Sequence, residues 1–93
     1  SYAVVADNKS DTLRFGEGTE TYGKIHSNGG IRFDGVAHGL ITSAKETYLD
    51  PDTGLTKPGV WTSQSDESAV FLGGKEFPVP EVNFNEVTTD LSN

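Results

Sequence analysis

Between Tyr22 and Ala44 the chain reads YGKIHSNGGIRFDGVAHGLITSA, with Ile25, Ile31, Phe33, Val36, Leu40 and Ile41 as its apolar positions and Gly23, Gly29, Gly30, Gly35 and Gly39 among them. A helix through this stretch would carry five glycines, each costing about 1 kcal/mol relative to alanine. Strands of three to five residues place the same glycines at tight turns, where positive φ is tolerated. The stretch therefore excludes a helical bundle and predicts successive short strands.

Asn28-Gly29 is the strongest turn signal. As a type I′ turn it would join Ile25–Ser27 to Gly30–Phe33 as a hairpin, and Asp34-Gly35 offers a second turn. Two all-β architectures fit. In an antiparallel meander or sandwich each dipeptide reverses the chain. In a short parallel β-helix-like (solenoid) stack the same dipeptides turn corners, and each layer sets its inward aliphatic residues on the layer below. Ile25, Ile31, Val36 and Ile41 follow one another at intervals of six, five and five, which favours the stack. Asn28, Gly29, Gly30, Asp34, Gly35 and Gly39 are then structural turn residues.

The flanking segments extend or cover this stack. Residues 1–15 read as an N-terminal hairpin: Tyr2 to Ala6 is β-prone, a polar cluster follows, and Thr12-Leu13-Arg14-Phe15 alternates. Residues 16–44 form the core layers and residues 45–93 an acidic covering segment, all within a single β-rich domain 1–93. Val60-Trp61-Thr62-Ser63 and Ser68-Ala69-Val70-Phe71-Leu72 read as strands. Phe77-Pro78-Val79-Pro80 cannot be a central strand, because two prolines remove ladder donors, so it is expected along an edge with Phe77 and Val79 tucked in. Asn83 and Glu86 form a weak capping box for a short C-terminal helix reaching Leu91.

Composition limits the partners. The chain has 93 residues, a hydrophobic fraction of 33%, eleven glycines and no cysteine, so a thin core is expected without a disulfide or a thiolate metal site. Residues 1–45 carry five acids and five bases, whereas residues 46–93 carry nine acids and only Lys57 and Lys75; the net charge of −7 lies wholly in the second half. An acidic half argues against nucleic acid, which needs clustered Lys or Arg, and against contact with an anionic membrane surface. No apolar run reaches the roughly 18 residues of a membrane span.

Candidate chemistry is sparse. His26, Ser27, Asp34 and His38 invite a Ser-His-Asp reading or a zinc site, but sequence spacing supplies neither spatial relation, and histidines at turns or exposed strand positions account for them. Asp50 and Asp52 flank Pro51 and could hold calcium, although the following residues offer no further ligand set, and an Asp-Pro turn explains the motif. Trp61, the only tryptophan, and Tyr48 are candidate ligand-surface aromatics, with a core or lid role as the plainer reading of Trp61. No phosphate cradle precedes a helix, and no cofactor is expected.

These residues carry a resemblance. GKIHSNGGIRFDGVAHGLITSAKETY, the Asp-Pro loop, GVWTS and EFPVPEVNFNEVTTDL resemble the C-terminal domain of uncharacterised prepilin-type bacterial surface proteins. The likeness spans residues 16–91 and is densest at 25–35 and 77–84. It implies a non-enzymatic structural or adhesive head domain, extracellular or at the cell surface. Its protein partners would lie in a pilus or surface assembly, with self-association among the options. It also implies an export signal and an apolar helix upstream. The alternative is a glycan-binding or glycan-cleaving β-helix fragment, motivated by Trp61 and the abundant acids.

Overall fold

A computed structural model describes residues 4–6 and 12–83. Among these residues the chain is all-β. The strands are β1 (Val4–Ala6), β2 (Thr12–Phe15), β3 (Glu20–Thr21), β4 (Ile25–Ser27), β5 (Gly30–Phe33), β6 (Val36–Ala37), β7 (Ile41–Ser43), β8 (Thr47–Leu49), β9 (Thr56–Pro58), β10 (Val60–Trp61) and β11 (Lys75–Glu76), with a short 3-10 turn at Glu67–Ala69.

Pairing is parallel in three separate sheets. The first has the order β1-β4-β7-β11, the second β10-β5-β2 and the third β3-β6. The chain visits them in rotation: β1, β2, β3, then β4, β5, β6, then β7 and β10. A single parallel bridge from Phe71 to Ala37 extends the third sheet. The β8–β9 pair is antiparallel and is inserted between β7 and β10.

Alternation within strands and register between them together make the core. Ile25 stands opposite Ile41, Leu13 opposite Ile31 and Ile31 opposite Val60, while Phe15 faces Phe33. Because side chains alternate between faces, each inward position repeats one strand along, and like stacks on like. Ile25, Ile31, Phe33, Ala37, Ile41 and Val60 are fully buried, with Val70 and Phe71 nearly so. Each large aliphatic or aromatic side chain contributes about 1.5–3 kcal/mol by burial.

Several expectations are overturned. Asn28-Gly29 does not close a hairpin: β4 and β5 lie in different sheets. A type I′ turn needs positive φ at both central residues, whereas among the described residues positive φ occurs only at Gly18, Gly54 and Gly74. The dipeptide turns a corner instead, with the Gly29 amide donating to Ser27 Oγ at 3.0 Å. Asp34-Gly35 likewise separates strands of different sheets. Nor do β1 and β2 pair as the expected N-terminal hairpin, since β1 pairs with β4 and β2 with β5. The peripheral hairpin is β8–β9. The apolar run Ser68 to Leu72 is no strand beyond the Phe71 bridge, because Asp66 caps the 3-10 turn through the Ser68 amide. Among the described residues the pairing forms no antiparallel meander, β8–β9 being the antiparallel pair.

The Phe77 to Pro80 segment behaves as expected. Phe77 packs against the core, and the Val79 amide donates to the Ser43 carbonyl at 2.9 Å. The expected helix reaching Leu91 lies outside the described residues.

Candidate functional site

The second sheet positions the most chemically varied surface. Ile31 and Val60 face the core, so their strand neighbours Arg32 and Trp61 face outward, and register aligns them with Arg14 of β2. The result is an in-line column, Arg14, Arg32, Trp61, on one face. Like charges opposite one another in adjacent strands repel, so this column needs anionic partners.

The β8–β9 hairpin and its connecting loop supply them. Asp52 Oδ2 accepts from Arg14 Nη1 at 2.5 Å and lies 3.5 Å from Arg32 Nη1. Arg32 is anchored further: its Nε donates to Asp34 Oδ2 at 2.9 Å and its Nη2 to Ser63 Oγ at 3.1 Å. Asp34 also accepts from the Thr62 hydroxyl and the Ser63 amide. Burial opposes ionisation of Asp34, but the Ser63 and Thr62 hydrogen bonds and Arg32 outweigh it and hold the carboxyl below its ordinary range. Beside Arg14 opens a groove of about 480 Å3, lined among the described residues by Thr12, Arg14, Pro51 and Asp52.

Tyr48 and Trp61 are brought together, though not as an open platform. Trp61 Nε1 donates to the Tyr48 hydroxyl at 2.6 Å, and only 8% of Trp61 is exposed. The Arg32 guanidinium stands 5.2 Å and the Lys57 ammonium 4.7 Å from the Trp61 ring centre, a cation–π arrangement. Tyr48 lies on Gly30, where a Cβ would come within 2.3 Å of the ring. Burial above all pushes the Tyr48 phenol up to about 12, so the hydroxyl stays protonated as a structural link.

At the Asp-Pro loop, Asp50 is fully buried. It accepts from the Thr53 amide at 2.8 Å and faces the Tyr48 hydroxyl at 3.4 Å, while Asp52 is engaged by the two arginines. The loop is thus the Asx-type turn of the plainer reading, and guanidinium hydrogens occupy Asp52 where calcium would need open oxygen ligands. Among the described residues no group of three or more His, Cys, Asp or Glu is placed to hold a metal.

His26, Ser27, Asp34 and His38 do not converge. His38 is on the surface, its Nε2 2.9 Å from Glu20 Oε1 and its ring stacked on Tyr22 at 4.4 Å. Contrary to the expectation of an exposed or turn position, His26 is fully buried, as are Ser27 and Asn28. His26 Nε2 meets Asn28 Oδ1 at 2.6 Å and Nδ1 meets Thr42 Oγ1 at 2.8 Å. Asn28 Oδ1 can only accept, which assigns the neutral ring its proton on Nε2 and makes the Thr42 hydroxyl the donor to Nδ1. The same Asn28 amide takes the Val82 backbone at both ends, accepting from its N at 2.9 Å and donating to its O at 3.1 Å. The segment carrying Val79 and Val82 therefore covers the outer side of β4 and β7, and the hold of Asn28 on Val82 is what sequence reasoning missed.

A pH dependence follows. Burial, chiefly, lowers the His26 pKa, with the Asn28 bond opposing and Lys24 reinforcing the shift. Unfolded histidine titrates near about 6.5, so below that pH the unfolded chain binds more protons than the folded one. Stability should be complete above about pH 6.5 and should decline as pH falls through that range. Urea midpoints between pH 7.5 and 5 should show this slope, and His26→Gln should flatten it; an equal slope in the variant would assign the effect to other groups.

Arg14 and Arg32 also escaped the sequence reading. The one available signal was that both occupy polar positions in alternating strands, which means nothing until the register is known. No protein-family model, curated protein or solved structure matches the chain.

Proposed function

We propose that this chain is the non-enzymatic head domain of a pilin-like surface or filament-associated protein, built as a short parallel β-helix-like stack whose outer faces meet a partner. The observation that carries the reading is the disposition of its reactive groups. His26, Asp34 and Asp50, the residues best suited to chemistry, are held by buried or partly buried hydrogen bonds to Thr42, Asn28, Thr62 and Thr53, where they serve the scaffold. The rotation of the chain through three parallel sheets supports the stacked architecture. The resemblance at residues 25–35 and 77–84 supports the prepilin class, with export signal and apolar helix upstream. Glycan binding is the second reading, favoured by the groove beside Arg14 and Asp52.

Surface display is tested on intact cells carrying the full-length gene product. Antibody raised against this domain should label them without lysis, and external protease should remove the label. Labelling that appears only after lysis would refute the proposal.

A further inference from the structure

His26 is a titratable group sealed inside the fold. It is fully buried on β4, and Asn28, just past the end of that strand, is nearly so. Register sets Val5 of β1 and Thr42 of β7 on either side of His26, with Glu76 of β11 one strand beyond Thr42. Across the ends of β4 and β7 runs the segment from Phe77 to Asn83. It is tied down by the Val79 amide on the Ser43 carbonyl and by the Asn28 carboxamide, which takes both the amide and the carbonyl of Val82. Asn28 Oδ1 is shared: it accepts from Val82 N at 2.9 Å and from His26 Nε2 at 2.6 Å. The clamp on the segment and the buried imidazole thus meet at one oxygen atom.

A second proton on this ring is badly placed. Both nitrogens would then donate, so the Thr42 hydroxyl, which donates to Nδ1 of the neutral ring, must turn to accept and send its hydrogen to the Ile25 carbonyl 3.5 Å away. Burial also removes the water that a cation needs. Among the charged groups of the surrounding elements, Lys24 ahead of β4 repels an imidazolium, and Lys75 of β11 is engaged by Glu67. Glu76 on β11 and Glu81 beside Val82 are both exposed, where water and salt screen them. Opposite the ring, β1 and β7 contribute the uncharged Val5 and Thr42. Lifting the segment gives up its bonds to Ser43 and Asn28 and lets water reach the ring, whereas protonating the closed form leaves the cation dry.

We infer that residues 77–83 form an acid-released strap: protonation of His26 opens the clamp between Asn28 and Val82, lifts the segment from the ends of β4 and β7 and bares the His26, Asn28 and Thr42 side chains, while the parallel stack stays folded. This device does not depend on what the outer faces of the domain meet. It is also distinct from the loss of global stability in acid, because the strap is a local opening held by few backbone bonds. The closed form binds the proton poorly and the open form binds it as an ordinary histidine, so neutral pH favours closure and acid favours release. With an open-state pKa of about 6.5, the ring is about nine-tenths protonated at about pH 5.5, and the open form gains about tenfold over the closed one.

Amide hydrogen exchange of the whole chain, resolved by residue and corrected for the intrinsic rate, tests the strap. Protection at Val79 and Val82 should fall by about tenfold from about pH 7.5 to about pH 5.5, approaching about one decade per pH unit, the mark of a single proton. Ile31 and Ala37, whose amides are bonded to Gly59 and Val70 in the other two parallel sheets, should keep their protection. His26→Gln should abolish the effect, and His38→Gln, at the surface histidine of the third sheet, should leave it intact. Constant protection at Val79 and Val82, or a fall shared by Ile31 and Ala37, would overturn the inference. So would an onset below about pH 5, where carboxylates such as Glu76 and Glu81 titrate, persistence of the effect in His26→Gln, or its loss in His38→Gln. Should His26→Gln not fold, the unaltered protein and the His38 variant still decide between these outcomes.

Discussion

Gly39→Val is expected to abolish folding or to cost about 3 kcal/mol or more, at or beyond the upper end of ordinary overpacking. The reason is the close approach of backbone segments around Gly39. A Cβ at Gly39 would come within 2.5 Å of the Gly23 carbonyl oxygen, and a Cβ at Gly73 within 2.4 Å of the Gly39 carbonyl carbon. Gly39 is thus closed in by backbone on both sides, and backbone held by parallel ladders cannot step aside as a side chain can. Gly35 has the same constraint, with the Thr19 carbonyl oxygen 2.1 Å from its virtual Cβ. Gly16 has nothing within 4 Å and no positive φ, so Gly16→Ala should leave stability within about 0.5 kcal/mol. Urea denaturation followed by far-ultraviolet circular dichroism separates the two. Equal midpoints for Gly39→Val and Gly16→Ala would show that the close approach is not what requires glycine.

Phe33→Ala is expected to cost about 3–5 kcal/mol. Phe33 is fully buried, stacks on Phe15 with ring centres 4.7 Å apart and meets Phe71 at 6.3 Å. Phe15 and Phe33 stand on the paired strands β2 and β5, and Phe71 lies at the bridge to Ala37, so deletion of the middle ring opens a cavity bounded by strands that the ladder holds apart. A domain of this size is stable by only about 5–14 kcal/mol, so the variant should show a large fall in its urea midpoint and bind a hydrophobic dye before full unfolding. A loss below about 1 kcal/mol would mean that Phe15 and Phe71 collapse into the space and that the column is far more pliable than ladder packing allows.

Much of the strand pattern was legible locally. The alternation at Thr12 to Phe15 and Gly30 to Phe33, the glycine spacing and the Asp-Pro turn are near-neighbour properties, and the structure places strands or a turn at each. The Asn28-Gly29 hairpin failed because a turn dipeptide reports only that the chain bends. Whether the flanking strands then pair with each other depends on which other strands compete for their edges. Ile25–Ser27 is taken on both edges, by β1 and β7, and no edge is left for Gly30–Phe33. Ser68 to Leu72 failed for a related reason: an apolar run fits a surface turn that leads into buried Val70 and Phe71 as well as it fits a strand, and the Asp66 cap decides for the turn.

The site was less legible than the fold. Tyr48 and Trp61 were candidate ligand-surface aromatics, and their contact instead buries Trp61 under the hairpin, in the core or lid role that was its plainer reading. His26 appears polar and peripheral in sequence, yet Val82, fifty-four residues beyond Asn28, covers its surroundings. Arg14 and Arg32 become a pair only through the ladder register.

What the amino-acid sequence determined by itself was the β character, the division into a charge-balanced first half and an acidic second half, and the corners at which the backbone must bend. These depend on residue type and on spacing over a few positions. The tertiary structure alone decided that the strands pair in parallel, that Gly35 and Gly39 are needed for close backbone approach rather than for positive φ, and that Arg14, Arg32 and Asp52 meet. Each of those depends on which distant segment occupies a neighbouring ladder position, a choice set by competition among all the edges of the fold.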